Sequence, residues 1–134
     1  MSAYERLRDA IAAGDAGRVV DTLADDVVLR VAVHNEPFTG RPAAARILRT
    51  VLDGVLREIE VLETITGVEA SVLTFRATVD SHPGRTDGLL VAREDSAGRI
   101  ADLTVFVRPL PALQALADEM GRRLGGAPPT GGGR

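Results

Sequence analysis

Between Ser71 and Arg108 three strand-like runs are broken only by turn-forming residues, the first alternating apolar and polar side chains, and no other feature constrains the fold as strongly. In the first run Leu73, Phe75, Ala77 and Val79 occupy every second position, with Thr74, Arg76, Thr78 and Asp80 between them. Successive side chains of a strand point to opposite faces, so this spacing predicts a sheet with one apolar and one polar face. Thr86 to Glu94 and Ile100 to Arg108 predict two further strands. Ser81-His82-Pro83-Gly84 predicts a type II turn before the second run, and Asp95-Ser96-Ala97-Gly98 a turn before the third. Glu58 to Thr66 is β-branched enough for another strand, with less perfect alternation.

The period changes toward the N-terminus. Tyr4, Leu7 and Ile11 recur at helical spacing and predict a helix ending at Gly14. Asp15 is placed to cap a short second helix carrying Val19, Val20 and Leu23. Val27, Leu29, Val31 and Val33 then predict a first strand. Pro42 suits a first helical turn, and Ile47, Leu48, Val51, Leu52 and Val55 supply the apolar face of a third helix. Beyond Pro109 and Pro111, Leu113, Leu116, Met120 and Leu124 predict a terminal helix. A single domain over 1–124 is expected, followed by a disordered glycine- and proline-rich tail over 125–134.

Composition removes several chemistries. A chain of 134 residues, 45% hydrophobic, suffices for one core. The net charge of −3 argues against a nucleic-acid or anionic-membrane surface. All 16 basic residues are arginine, so Schiff-base and P-loop lysines are absent. Cysteine is absent too, which removes disulfides, thiol nucleophiles and thiolate metal sites. No G-x-S-x-G elbow is present. The N-terminus lacks a signal-peptide apolar block, and no run approaches the ~20 apolar residues of a membrane span. A cytoplasmic protein is expected, with no cofactor.

Three features belong together: Gly14-Asp15 at the start of the second helix, Asp25-Asp26 before the first strand, and Phe38-Thr39-Gly40-Arg41 before the third helix. With the intervening segment LADDVVLRVAVHNEPFTGR (Leu23 to Arg41), they resemble the nuclear transport factor 2 (NTF2) superfamily over residues 1–108. That superfamily includes SnoaL-type polyketide cyclases and ketosteroid isomerases. The resemblance implies an α+β, cystatin-like cone: three N-terminal helices on a curved antiparallel sheet, plus the C-terminal helix. It also implies a conical cavity lined by one strand parity. A fold alone does not assign a reaction.

Ketosteroid isomerases place an aspartate base in such a cavity, with a tyrosine and a protonated aspartate holding the enolate oxygen. The resemblance puts these three positions on Val31, Leu7 and Leu90, none of which transfers a proton. Tyr4, one helical turn before Leu7, is a substitute only if its hydroxyl points inward; a packed ring with its hydroxyl in water is the plainer reading. The Asp-Arg-Asp design of the limonene epoxide hydrolase type has candidates in Asp80, Asp87, Asp102, Arg76 and Arg108. All lie on the strand parity opposite the apolar lining, so only a bulge would turn one inward. His34 with Glu36, in the loop after the first strand, is the remaining acid–base pair. His82 is expected at an exposed hairpin tip, and two separated histidines make a poor metal site.

The expected lining is Leu7, Ile11, Val31, Leu48, Leu52, Leu73, Phe75, Ala77, Leu90, Leu103, Val105 and Val107. It reads either as an apolar ligand pocket or as a filled core. On the opposite parity Leu89, Val91 and Phe106 form an apolar cluster that needs a cover. The resemblance implies a homodimer through this face; the terminal helix is the competing cover, unless it crosses the mouth of the cone instead. A binder of a small hydrophobic metabolite is the leading reading. The alternative is an isomerase, polyketide-type cyclase or epoxide-type hydrolase using His34 and Glu36, or an inward-turned Asp87 or Asp102.

Overall fold

A computed structural model of the chain describes residues 1–125. Helix α1 (Ala3–Ala13) begins at a reciprocal cap: Glu5 N–H donates to Ser2 Oγ at 3.1 Å, and Ser2 N–H to Glu5 Oε1 at 2.9 Å. Its buried stripe is Ala3, Tyr4, Leu7, Ala10 and Ile11. Asp15 accepts from Arg18 N–H and caps α2 (Ala16–Asp21), which buries Val19 and Val20. Helix α3 (Arg41–Thr50) carries Pro42 in its first turn and buries Ala44, Ala45, Ile47 and Leu48. The predicted third helix does not run on to Val55. It widens into a turn over Val51–Val55, where Gly54 takes φ 94°, a left-handed value that favours glycine.

Six strands form one sheet in the order β2-β1-β6-β5-β4-β3. They are β1 (Leu23–Arg30), β2 (Phe38–Thr39), β3 (Leu56–Ile65), β4 (Ser71–Val79), β5 (His82–Glu94) and β6 (Ile100–Arg108). Every pairing is antiparallel except β1 with β6, so the sheet is mixed. Helix α3 and four other strands separate β1 from β6 in the chain, and no hairpin dictates their direction. β1 starts at Leu23, ahead of the predicted Val27, with a register shift before Val28 that leaves Asp25 and Asp26 exposed. Further shifts interrupt β3 near Glu58 and Leu62, and the β4–β5 pairing next to Val79. Such extra residues bend a strand and curve the sheet.

The first hairpin turn sits earlier than expected. Asp80 and Ser81 make it, with Ser81 at φ 69°, and His82 already pairs with Val79. Pro83 and Gly84 are the extra residues of the bulge, and His82 is half-buried instead of standing at an exposed tip. The inner face of β4 is closed by packing: Leu73, Phe75, Ala77 and Val79 are all buried. Gly88 lies beneath the Phe75 ring, where a β-carbon would come within 2.2 Å of Phe75 Cζ.

Helix α4 (Leu110–Arg123) is not the cover of the outer face. It buries Ala112, Leu116 and Met120 against the inner side of the sheet and leaves the outer face open. Arg123 anchors its end: Nη1 donates to the Asp53 carbonyl at 2.9 Å, Nη2 to Asp80 at 3.3 Å and Nε to Glu119 at 3.1 Å. The expected tail lies, from residue 126 onward, outside the described residues. Among the described residues no helix is long and apolar enough to cross a membrane.

Candidate functional site

The helices and the inner face of the sheet enclose a cavity of about 100 Å³. Every lining side chain is Ala, Val, Leu, Ile, Met or Phe. Ile11, Val31, Leu48, Leu52, Phe75, Leu90, Leu103, Val105 and Val107 are brought together there. Leu7, Leu73 and Ala77 are not among the lining residues. They are fully packed core, because the helices sit directly on that part of the sheet. The wall also includes Val19, Phe38, Ile47, Ile59, Leu116 and Met120, which the sequence reading did not assign to it. Val19 and Ile47 lay on recognised helical stripes. Ile59 faces inward through the bulge at Glu58, and Leu116 and Met120 depend on where α4 docks; neither is written in local periodicity.

The positions expected to correspond to the isomerase machinery are all aliphatic in place: Val31 and Leu90 on the wall, Leu7 in the core. Tyr4 differs from the expectation of a wet hydroxyl. It is 2% exposed and its hydroxyl donates to the Val72 carbonyl at 2.7 Å, with burial pushing its pKa up. The hydroxyl is occupied in tying α1 to β4.

Asp87 and Asp102 lie on the outer face, and Asp80 in the turn after β4. Asp102 pairs with Arg30, which the parallel β1–β6 register brings alongside it. Asp87 accepts from Arg85 at 2.7 Å and Arg108 at 3.1 Å. The Arg85 hydrogen bond, with the nearby Arg108 charge, holds its carboxyl below the usual range. Asp80 is held by Arg123, and Arg76 by Glu60 at 3.5 Å. The sheet's bulges fall at other positions, so neither Asp87 nor Asp102 is turned inward. Glu36 is exposed and has no hydrogen bond to His34 among the described residues. His34 is not itself a lining residue; its ring stands edge-on to Phe38, which is, with centroids 5.1 Å apart. Among the described residues no group of three or more His, Asp or Glu is placed to hold a metal ion.

Across the outer face the register lays Ile65, Val72 and Val91 in one row, and Thr74, Leu89 and Phe106 in the next. Phe106 is 54% exposed. The flanking row, Glu60, Arg76, Asp87 and Arg108, is internally ion-paired.

No protein-family model and no curated protein matches the chain. Solved structures do. A steroid delta-isomerase from Pseudomonas aeruginosa is 34% identical, with a TM-score of 0.82 over 91% of this chain and 88% of that one. A conserved bacterial protein with a cystatin-like fold from Silicibacter pomeroyi is 25% identical, with a TM-score of 0.83 over 91% and 84%. An NTF2-like protein from Mesorhizobium loti, 17% identical with a TM-score of 0.69 over 80% and 88%, shares the fold. Helices closing a curved mixed sheet around an apolar cavity, together with a relative one-third identical along nearly its whole length, place the chain: it belongs to the NTF2-like, ketosteroid isomerase-like superfamily.

Proposed function

We propose that this protein binds a small hydrophobic molecule in its cavity and lacks the base-and-oxyanion machinery of the isomerases. The observation carrying this reading is the wall, apolar throughout, with aliphatic side chains at the three positions where isomerase chemistry needs ionisable ones. A carboxylate there would be stripped of water without a partner, whereas an apolar ligand gains from the same environment. Size limits the ligand. Engineered apolar cavities of roughly 150 Å³ stay dry and accept benzene, while drug-sized ligands need about 300–1,000 Å³. A ligand of at most one six-membered ring is accommodated with local shifts of Leu116 and Met120; a larger one requires α4 itself to move.

Calorimetric or thermal-shift titration with small apolar ligands tests this reading. Saturation at a hundredfold excess over Kd adds about 2.7 kcal/mol of stability. Absence of any shift across such a series overturns it. Steroid delta-isomerisation, which names the Pseudomonas aeruginosa relative, is expected to be absent above the buffer rate; turnover would overturn the second half of the proposal. The second reading, an isomerase, cyclase or hydrolase using His34, is favoured by the imidazole beside the wall. It requires Glu36 to swing inward, and predicts turnover that His34→Ala abolishes.

The outer face supports a homodimer. Leu89, Val91 and Phe106 form an uncovered apolar strip, and the charged row beside it is already neutralised by its own ion pairs. Sedimentation of the wild-type chain as a monomer at micromolar concentration would overturn this assignment.

A further inference from the structure

Buried polar side chains are nearly always hydrogen-bonded, because losing water without gaining a partner destabilises the fold. His34 departs from this at both ring nitrogens: neither Nδ1 nor Nε2 reaches solvent or a hydrogen-bond partner. The Arg41 and Arg76 guanidiniums, which also carry an unpaired buried nitrogen, bond through their other nitrogens. His34 has no such alternative. Its ring stands against Phe38, centroids 5.1 Å apart and planes at 65°. Phe38 lines the cavity, and so does Val33, the residue just before His34. Phe38 is thus in contact both with the apolar space and with an imidazole that has nothing to bond.

We propose that His34 is the polar contact that orients the ligand, and that the ligand is a small apolar molecule bearing one hydroxyl group. With the Phe38 ring turned aside, the hydroxyl exchanges hydrogen bonds with the imidazole while the hydrocarbon body fills the cavity. A neutral imidazole offers one N–H donor and one lone-pair acceptor, the same pair of functions a hydroxyl presents. A hydroxyl entering the rest of this wall loses its hydration without compensation. Sites of this kind, apolar with one or two placed polar groups, fix a ligand's orientation by the polar contact. The inference rests on the apolar-ligand reading and adds the polar end to it.

Toluene and phenol separate the two, since they match in shape and differ by a methyl against a hydroxyl. Each is titrated calorimetrically into the wild-type chain and into His34→Phe. The expected result is phenol binding at least as tightly as toluene in the wild type. His34→Phe keeps the toluene affinity and weakens phenol by about tenfold, the effect of one hydrogen bond. In long-range 1H–15N spectra of the labelled wild-type chain, phenol shifts the His34 ring nitrogens and leaves His82 in place. These spectra decide the matter even if the variant does not fold. Toluene binding with phenol about tenfold weaker in the wild type, or His34 nitrogens unmoved by bound phenol, overturns the role of His34 and leaves the apolar-ligand reading standing. Binding of neither molecule overturns both.

Discussion

Neighbouring residues of β4 and β5 occupy opposite environments. Phe75 and Leu90 are buried under helices on the inner face, while Thr74 and Leu89, one position earlier, stand half-exposed on the outer face. Both faces carry apolar side chains. They differ in what covers them and in where the charges sit. The inner face is closed by α1, α3 and α4 and lines its cavity without an ionisable group. The outer face keeps Arg76, Asp87, Asp102 and Arg108, each matched to an opposite charge. A single strand thus separates a region where a charge is intolerable from one where charges are routine. Catalysis by carboxylates requires crossing that boundary, and the bulges of this sheet do not bring Asp87 or Asp102 across it.

The sharpest way to break the contrast is a charge on the wrong side. Leu103, 1% exposed, replaced by Asp puts a carboxylate into the apolar wall and is expected to destabilise the chain by about 4 kcal/mol or more, read by urea denaturation. A cost comparable to that of a surface substitution would show that the wall is wet. Next in size is Gly88→Ala. Its β-carbon collides with Phe75, so the ring must shift toward the cavity, at a cost of about 1–3 kcal/mol and with loss of apolar-ligand binding. Unchanged stability together with unchanged binding would contradict the packing described for Phe75.

Acid should loosen the inner cover. A hydrogen bond from Arg122, joined by Arg123, holds the Glu119 carboxyl below its usual 4.5. A carboxylate depressed in the folded state stabilises it fully above the ordinary value and loses that contribution as pH falls through the depressed one. Amide protection in α4, relative to the intrinsic exchange rate at each pH, is therefore expected to fall below about pH 4.5, and Glu119→Gln to remove that dependence. Protection in α4 that does not change across this range would detach Glu119 from the docking of α4. The smallest effect on stability belongs to the outer face: Phe106→Asp should alter monomer stability by only about 0.5 kcal/mol while converting the proposed dimer to monomer. Sedimentation reads the assembly directly, and a variant that stays dimeric moves the interface elsewhere.

Local pattern carried much of the fold. The capping residues Ser2 and Asp15, the proline in the first turn of α3, and the two-residue period of β4 each act over a few neighbours, so they are readable one segment at a time. The extent of the third helix was misread because Gly54 ends it through a backbone angle that apolar spacing does not record. Ile59 escaped notice for a related reason, since a bulge reverses strand parity without altering the residues on either side. His34 was noticed for its chemistry, but its place against Phe38 is a contact between rings that neither residue announces alone.

Side-chain order along the chain settled which residues share a face and hence that one face of the sheet would be apolar, because alternation is a property of the extended backbone itself. It also put aliphatic side chains at positions 7, 31 and 90, on which the proposal of a binder without the isomerase arrangement rests. Three-dimensional packing alone decided that α4 closes the inner side and leaves Phe106 uncovered, and that the cavity is small. An amphipathic helix has an apolar stripe but no address; only the competition between the two faces of the sheet for that stripe gives it one.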